Sequence, residues 1–386
     1  MLSGDDRLAR QAISAFAASA QPGGLVCGRY PSSDTQIITG FALFWVLQVC
    51  DHMQHFNDPQ FALRFLETIH GVFGYFNRKV APSTGLVENL PYEFWSFVDW
   101  AADWDETSES HLDNGVPVSG RETGTFTFIS MLYAYTLKQA AKLLVQVNKP
   151  ALLQDYTDRA DSIIDSIRKH CYDGHFFTDT VSARTAKAHK YSEQTQVWAV
   201  LSGVVPVDQI YTLGRRLLSE VCAPGAAPRY TVSSFPMRHY TFRALAMTGL
   251  YENIYPHFWV KWRQMIDFEL TTWCEDDIGG QRSDCHQWSS LPIWEFLSEV
   301  AGLTPLEPGW TRVRFAPRLA LSEGIDARVN LGNRGTASVS WRKSSSGEYT
   351  IDLRLPQKLH LVYKLPDGTE VDVGEAESLQ LEWPHE

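Results

Sequence analysis

The sequence predicts a mainly α-helical chain, an (α/α)6 toroid of helical hairpins, followed by a small antiparallel β-sandwich domain. Three observations carry this. Apolar residues recur at helical spacing through the first three quarters of the chain. The helical stretches follow one another over short connections. After about Pro308 the hydrophobic period drops to two.

The first face is Leu8, Ala12, Ile13 and Phe16, behind Asp5 or Asp6 as N-cap. Asp34 is expected to cap a helix through Ile37, Phe41, Trp45 and Leu47. Asp58-Pro59 opens another, with Phe61, Phe65, Leu66, Ile69, Val72, Phe73 and Phe76 at helical spacing. A long helix runs from about Thr123 to Asn148 and is broken by Lys149-Pro150. The next carries Leu153, Tyr156, Ala160, Ile163, Ile164 and Ile167 on one side. Further helices are expected near 191–203, 207–222, 236–248, 251–268 and 286–301.

Short connections such as Val205-Pro206 and Thr248-Gly249 make neighbouring helices antiparallel. About ten helices exceed a four-helix bundle. A solenoid would repeat every ~34 to 47 residues, and no such repeat is visible, which leaves the toroid. Beyond Pro308, Val313 and Phe315, then Ala337, Val339 and Trp341, then Ile351, Leu353 and Leu355, then Leu359, Leu361 and Tyr363 alternate with polar residues. Ser346-Gly347 and Asp367-Gly368 read as hairpin turns. The expected domains are residues 1–307 and 308–386.

The balance of 34 basic against 45 acidic side chains, a net charge of -11, argues against nucleic acid or an anionic membrane as partner. No stretch has the ~18 to 20 apolar residues of a membrane span. The opening Met1-Leu-Ser-Gly-Asp-Asp-Arg-Leu-Ala-Arg10 lacks the charged and apolar regions of a signal peptide. That leaves a cytoplasmic location, or an undetermined one if the chain continues upstream of Met1. The six cysteines include no Cys-x-x-Cys pair and read as free thiols of a reducing compartment. A zinc site at Cys274, Cys285 and His286 fits no common spacing.

Two stretches, 81–122 and 274–285, do not fit helices, and long irregular loops in a compact domain are usually functional or disordered. These are too aromatic for disorder. Trp95, Trp100, Trp104, Trp273 and Trp288 fall in or beside them. Acids sit among the rings, in Glu93-Phe-Trp-Ser-Phe-Val-Asp99-Trp100, Asp103-Trp104-Asp105-Glu106 and Trp273-Cys274-Glu275-Asp276-Asp277. Indole faces cover the C–H faces of a sugar, and carboxylates bind its hydroxyls. Two carboxyl groups across such a pocket are what glycoside hydrolysis requires. The alternative is that the indoles fill a core and the acids are solvated loop residues.

Residues 269–317 are the most informative: Glu269-Leu-Thr-Thr-Trp-Cys-Glu275, Arg282-Ser-Asp-Cys-His286-Gln-Trp288-Ser-Ser290, Gly302-Leu-Thr-Pro305-Leu-Glu-Pro308-Gly309-Trp310 and Val313-Arg-Phe-Ala-Pro317. They resemble the end of the catalytic domain of glycoside hydrolase family 78, the α-L-rhamnosidases. Phe94-Trp95-Ser-Phe-Val-Asp99-Trp100, Ser192-Glu-Gln-Thr-Gln196 and Phe242-Arg-Ala-Leu245 resemble earlier segments of that family. The resemblance implies a six-hairpin glycosidase toroid with a C-terminal β-domain, acting on rhamnosides by inversion, without metal or cofactor.

By the same resemblance Glu275 is the general base, His286 binds a sugar hydroxyl and Trp288 helps to wall the subsite, while Trp273 is a further candidate for substrate binding. Trp95, Asp99 and Trp100 would line the opposite side. One departure is Cys274, which stands between Trp273 and Glu275 where the family has Trp directly before the base. A shifted alignment would make Asp276 the base, or leave neither group in position. The other departure is at the front. Met1-Leu-Ser-Gly-Asp5 resembles the end of the family's first toroid helix, so that helix and the general acid before it are expected to lie outside this chain. Glu93, Asp99, Asp103, Asp105 and Glu106 are the substitutes for the acid, none supported by a motif.

Three other readings stay open. One is a carbohydrate-binding remnant without turnover. Another is a polysaccharide lyase using His111, His189, His239 and Arg282, which no spacing links. The third is a helical interaction protein.

Overall fold

The computed structural model describes residues 3–104, 110–181, 191–221, 229–275, 283–364 and 368–383. Its helices are α1 (Arg7–Ala18), α2 (Thr39–Phe56), α3 (Pro59–Leu63), α4 (Leu66–Lys79), α5 (Val118–Thr123), α6 (Thr127–Gln146), α7 (Leu153–His170), α8 (Glu193–Leu201), α9 (Ile210–Val221), α10 (Arg238–Thr248), α11 (Tyr251–Phe258), α12 (Val260–Asp267) and α13 (Leu291–Glu295). Six strands follow: β1 (Leu303–Pro305), β2 (Arg312–Phe315), β3 (Gly324–Asn330), β4 (Thr336–Lys343), β5 (Tyr349–Lys364) and β6 (Glu370–Trp383). Among the described residues no helix is long and apolar enough to cross a membrane.

The chain divides into two compact units. The helical unit holds Ala12–Cys50 and Leu63–Trp288. Its helices are of two kinds. On α7 only Tyr156, Ala160, Ile163, Ile164 and Ile167 are buried, a single stripe, so the rest faces water. On α8, 8 of 9 positions are buried and on α6, 14 of 20, far more than one stripe, so these helices must be covered on most sides. The sequence alternates the two kinds, which places α6 and α8 inside and α7 and α9 outside. α6 packs on α7 and α8, and α10 packs on α8, α9 and α11.

Trp198 of α8 sits among the inner helices, 0% exposed, against Phe44 of α2, Phe128 and Tyr135 of α6, and Tyr240 of α10. Ser192 caps α8, its hydroxyl accepting the Thr195 N–H at 3.2 Å. α10 ends at Gly249 in the left-handed conformation.

One expected helix start moves. α2 opens at Thr39, not behind Asp34. The Trp95 N–H donates to the Ile37 carbonyl at 2.9 Å, and the Thr39 N–H donates to the Trp95 carbonyl at 3.0 Å. A backbone committed to that bridge cannot also be helical, and Asp34 pairs with Arg29 instead. The helix expected across 61–76 is likewise two, α3 and α4.

The second unit combines the segment up to Gln11, Asp51–Ala62 and everything from Ser289 onward. Its strands make one sheet in the order β1-β2-β5-β4-β3, with β6 on the other side of β5. The expected alternation is obeyed. Val339 pairs with Leu353 and Trp341 with Ile351, all at most 1% exposed. Two details differ from a simple antiparallel sandwich. β2 runs parallel to β5. The two apolar runs on either side of Pro356 form one strand, whose pairing with β6 slips between Arg354 and Leu359. Such an irregularity bends a strand, so β5 pairs with β4 along its first part and with β2 along its last.

Asp58 opens α3 as expected, its Oδ1 accepting the Phe61 N–H at 2.9 Å. Its Oδ2 accepts from Arg10 at 2.7 Å, and that guanidinium lies 4.5 Å from the centre of the Phe61 ring. Asp58→Ala removes a cap and a part-buried ion pair together. A loss of about 1–2 kcal/mol is expected, read by urea denaturation. A change of a few tenths would show that the cap adds little.

Candidate active site

The segment Trp95–Trp100 is irregular but firmly held. Beyond the bridge to Ile37 and Thr39, the Val98 N–H donates to the Gly115 carbonyl at 2.8 Å. The Trp95 indole N–H donates to the Asn114 carbonyl at 2.9 Å. Gly115 has φ +67°, and a Cβ there would stand 2.4 Å from the Phe97 ring and 2.8 Å from the Asp99 carbonyl oxygen. Only glycine fits.

The rings of this segment interlock. Phe97 is 4.8 Å from Trp100, 5.0 Å from Trp95 and 5.9 Å from Trp288, centroid to centroid. Trp95 and Trp100 are 5.7 Å apart. Trp288 also meets Phe41 of α2 at 5.9 Å and His286 at 5.2 Å. The wall therefore continues from Trp95 and Trp100 through Phe97 to Trp288 and His286.

The described ends of the second stretch are bonded to each other. The Glu275 N–H donates to the Ser283 carbonyl at 2.7 Å, and the His286 N–H donates to the Trp273 carbonyl at 2.8 Å. These bonds put Trp273 and Glu275 beside His286, with Trp273, Glu275, His286 and Trp288 all half-buried. The Trp100 indole N–H donates to Glu275 Oε1 at 3.3 Å. The Trp288 N–H donates to His286 Nδ1 at 3.3 Å, which leaves the proton of the neutral ring on Nε2. Cys274, which intervenes between Trp273 and Glu275, is 1% exposed. Cys285 is exposed, and among the described residues no group of His, Cys, Asp and Glu has the arrangement of a metal site.

Asp99 lies behind the wall and not on its surface. It is 0% exposed. Its Oδ2 accepts the Ser234 N–H at 2.9 Å, and its Oδ1 accepts the Ser234 hydroxyl. Burial pushes its carboxyl up to about 7 against those two donors. Nearby Glu193 is buried too, accepting the Ser233 N–H at 3.0 Å and the Thr241 hydroxyl at 2.8 Å. Of the other substitutes for the acid, Glu93 and Asp103 are exposed, and Asp105 and Glu106 lie outside the described residues. So do Asp276, His189 and Arg282. His111 is exposed at the edge of Trp95.

The structure thus brings together Trp95, Trp100, Trp273, Glu275, His286 and Trp288. It adds Phe41, which helical spacing treats as ordinary core, and Phe97, which lies in the irregular stretch 81–122 but is not among the candidates there. Ser234 could not have been found at all, because its partner is 135 residues away.

Residues 302–380 match the family described as the bacterial alpha-L-rhamnosidase C-terminal domain. No curated protein matches the chain at a significant level of sequence similarity. Among solved structures, the GH78 family rhamnosidase of Bacillus sp. GL1 superposes with a TM-score of 0.80 at 21% identity, over 95% of this chain and 37% of that one. The native α-L-rhamnosidase of Aspergillus terreus gives 0.70 at 16% identity, over 97% and 43%. The α-L-rhamnosidase of Streptomyces avermitilis, solved with L-rhamnose, gives 0.66 at 15% identity, over 96% and 35%. The chain therefore spans less than half the length of each of these three relatives. Over nearly its whole length the chain carries the fold of the GH78 α-L-rhamnosidases, a helical toroid and a β-domain, and over residues 302–380 it also resembles their bacterial C-terminal domain in sequence.

Proposed function

We propose that the chain acts on terminal α-L-rhamnose as a glycoside hydrolase of the α-L-rhamnosidase type, by inversion, with Glu275 as general base. The observation that carries this is one half-buried carboxylate set among the indoles of Trp100, Trp273 and Trp288 with His286 beside it. The indole faces cover the apolar side of the sugar, and the His286 Nε2–H donates to a hydroxyl. Glu275 takes a proton from water as the water oxygen bonds to the anomeric carbon, and the bond from that carbon to the leaving oxygen breaks on the opposite face. The leaving oxygen needs a proton from a second carboxyl group, ~6.5 to 9.5 Å from the base in an inverting enzyme. Asp99 is committed to Ser234, so it does not serve as that acid.

Among the described residues Glu275 is the one carboxylate placed at the wall, which favours a second reading, rhamnose binding without turnover. The two readings share a subsite, and calorimetry with L-rhamnose tests it. Replacing His286 and Trp288 together by Ala removes a hydrogen bond and a stacking face, and affinity is expected to fall by roughly 10- to 100-fold. Unchanged binding in that double variant would remove both residues from the subsite. Release of the aglycone from an aryl α-L-rhamnoside then separates hydrolysis from binding alone.

A further inference from the structure

We infer that Trp100 is a positioning residue for Glu275, itself held by a buried tether from Asp99 to Ser234. The inference rests on the reading of Glu275 as base and gives Trp100 a task that a sugar-facing wall does not need.

The geometry is specific. Trp100 is 9% exposed, and Phe97 and Trp95 pack against it at 63° and 61°. Rings on two sides fix the plane of the indole, and its N–H meets Glu275 Oε1 at 3.3 Å. The preceding residue, Asp99, has both carboxylate oxygens on Ser234, which opens the turn leading into α10. A donor on one oxygen makes the two oxygens of Glu275 unequal. A general base needs that, because it must meet one water along one direction. A ring used only for stacking would need no N–H, and phenylalanine would serve.

The experiment reads the contact and the role separately. The chain has 13 Trp, and the Trp100 indole N–H resonance is the one missing from the spectrum of Trp100→Phe. Glu275→Ala, which removes the acceptor, and Ser234→Ala are each expected to move it. In kinetics with an aryl α-L-rhamnoside, Trp100→Phe keeps the wall and loses the donor. Its kcat is expected to fall roughly 10- to 100-fold with KM within about twofold, whereas Trp100→Ala also raises KM.

A resonance indifferent to Glu275→Ala would overturn the contact, and one indifferent to Ser234→Ala would overturn the tether. Wild-type kcat in Trp100→Phe, with turnover lost in Glu275→Gln, would make Trp100 a wall only and leave the base in place. Wild-type turnover in Glu275→Gln, or none in the unaltered chain, overturns the base reading and this inference with it.

Discussion

Glu275→Gln is expected to lower the turnover of an aryl α-L-rhamnoside by roughly 10² to 10⁴-fold, the contribution of a positioned general base. The carboxamide keeps the shape of the side chain and can still accept from the Trp100 indole. It cannot take the proton of the attacking water. The backbone bond from Glu275 to Ser283 is untouched by the substitution, so these two residues should meet as before. KM for the rhamnoside should stay close to the wild-type value, because His286 and the indoles are unchanged. An equal kcat in variant and wild type would take Glu275 out of the mechanism. Rhamnose binding in both with turnover in neither would favour the binding-only reading.

The second large effect is on stability. Asp179 is 2% exposed, and burial pushes its carboxyl up to about 7. Ser192 and Thr195 donate their hydroxyls to Oδ1 at 2.6 and 2.5 Å, while Oδ2 is buried without a hydrogen-bond partner among the described residues. In the unfolded chain the same group titrates near 3.8. As pH rises from about 4 to about 7 the unfolded state sheds its proton while the folded state keeps it. The folded state therefore loses stability over that interval. The full contribution is present below about pH 4 and is gone above about pH 7, a span on the order of 4 kcal/mol. Asp99, also pushed up to about 7, acts in the same direction.

Asparagine imitates the protonated carboxyl, with a donor where Oδ2 stands, and does not titrate. Asp179→Asn should therefore match the wild-type melting temperature in acid, melt higher above about pH 7, and show a flatter profile between. Parallel melting curves across pH would mean that Asp179 is not held neutral by the fold.

The elements were largely legible because their patterns are local. The α7 stripe of Tyr156, Ala160, Ile163, Ile164 and Ile167 is buried as its spacing requires. Pro59 behind Asp58 opens α3, and Ala337, Val339 and Trp341 face the core of the sheet. Where local pattern misled, a distant partner intervened. Ile37 and Ile38 have helical spacing with Phe41, yet Trp95 takes their backbone. Leu355 and Leu359 read as ends of separate strands, yet β6 spans both. Nothing in the first eleven residues or in 51–62 announces that they cluster with the strands.

The site divides the same way. Indoles among acids in irregular segments, together with the family resemblance, singled out Trp95, Trp100, Trp273, Glu275, His286 and Trp288 as candidates. Their roles needed the third dimension. Asp99 and Glu275 are both acids within two residues of a tryptophan, and composition does not distinguish their surroundings. Packing does: Ser234 reaches one from 135 residues away and buries it, while the other stays half-exposed against Trp100. By itself the sequence determined the helical and strand periods and which residue types are at hand, since both follow from near neighbours in the chain. Only the tertiary structure decided which carboxylate is buried on Ser234 and which stays half-exposed against Trp100, because desolvation and hydrogen-bond partners come from segments far apart in sequence.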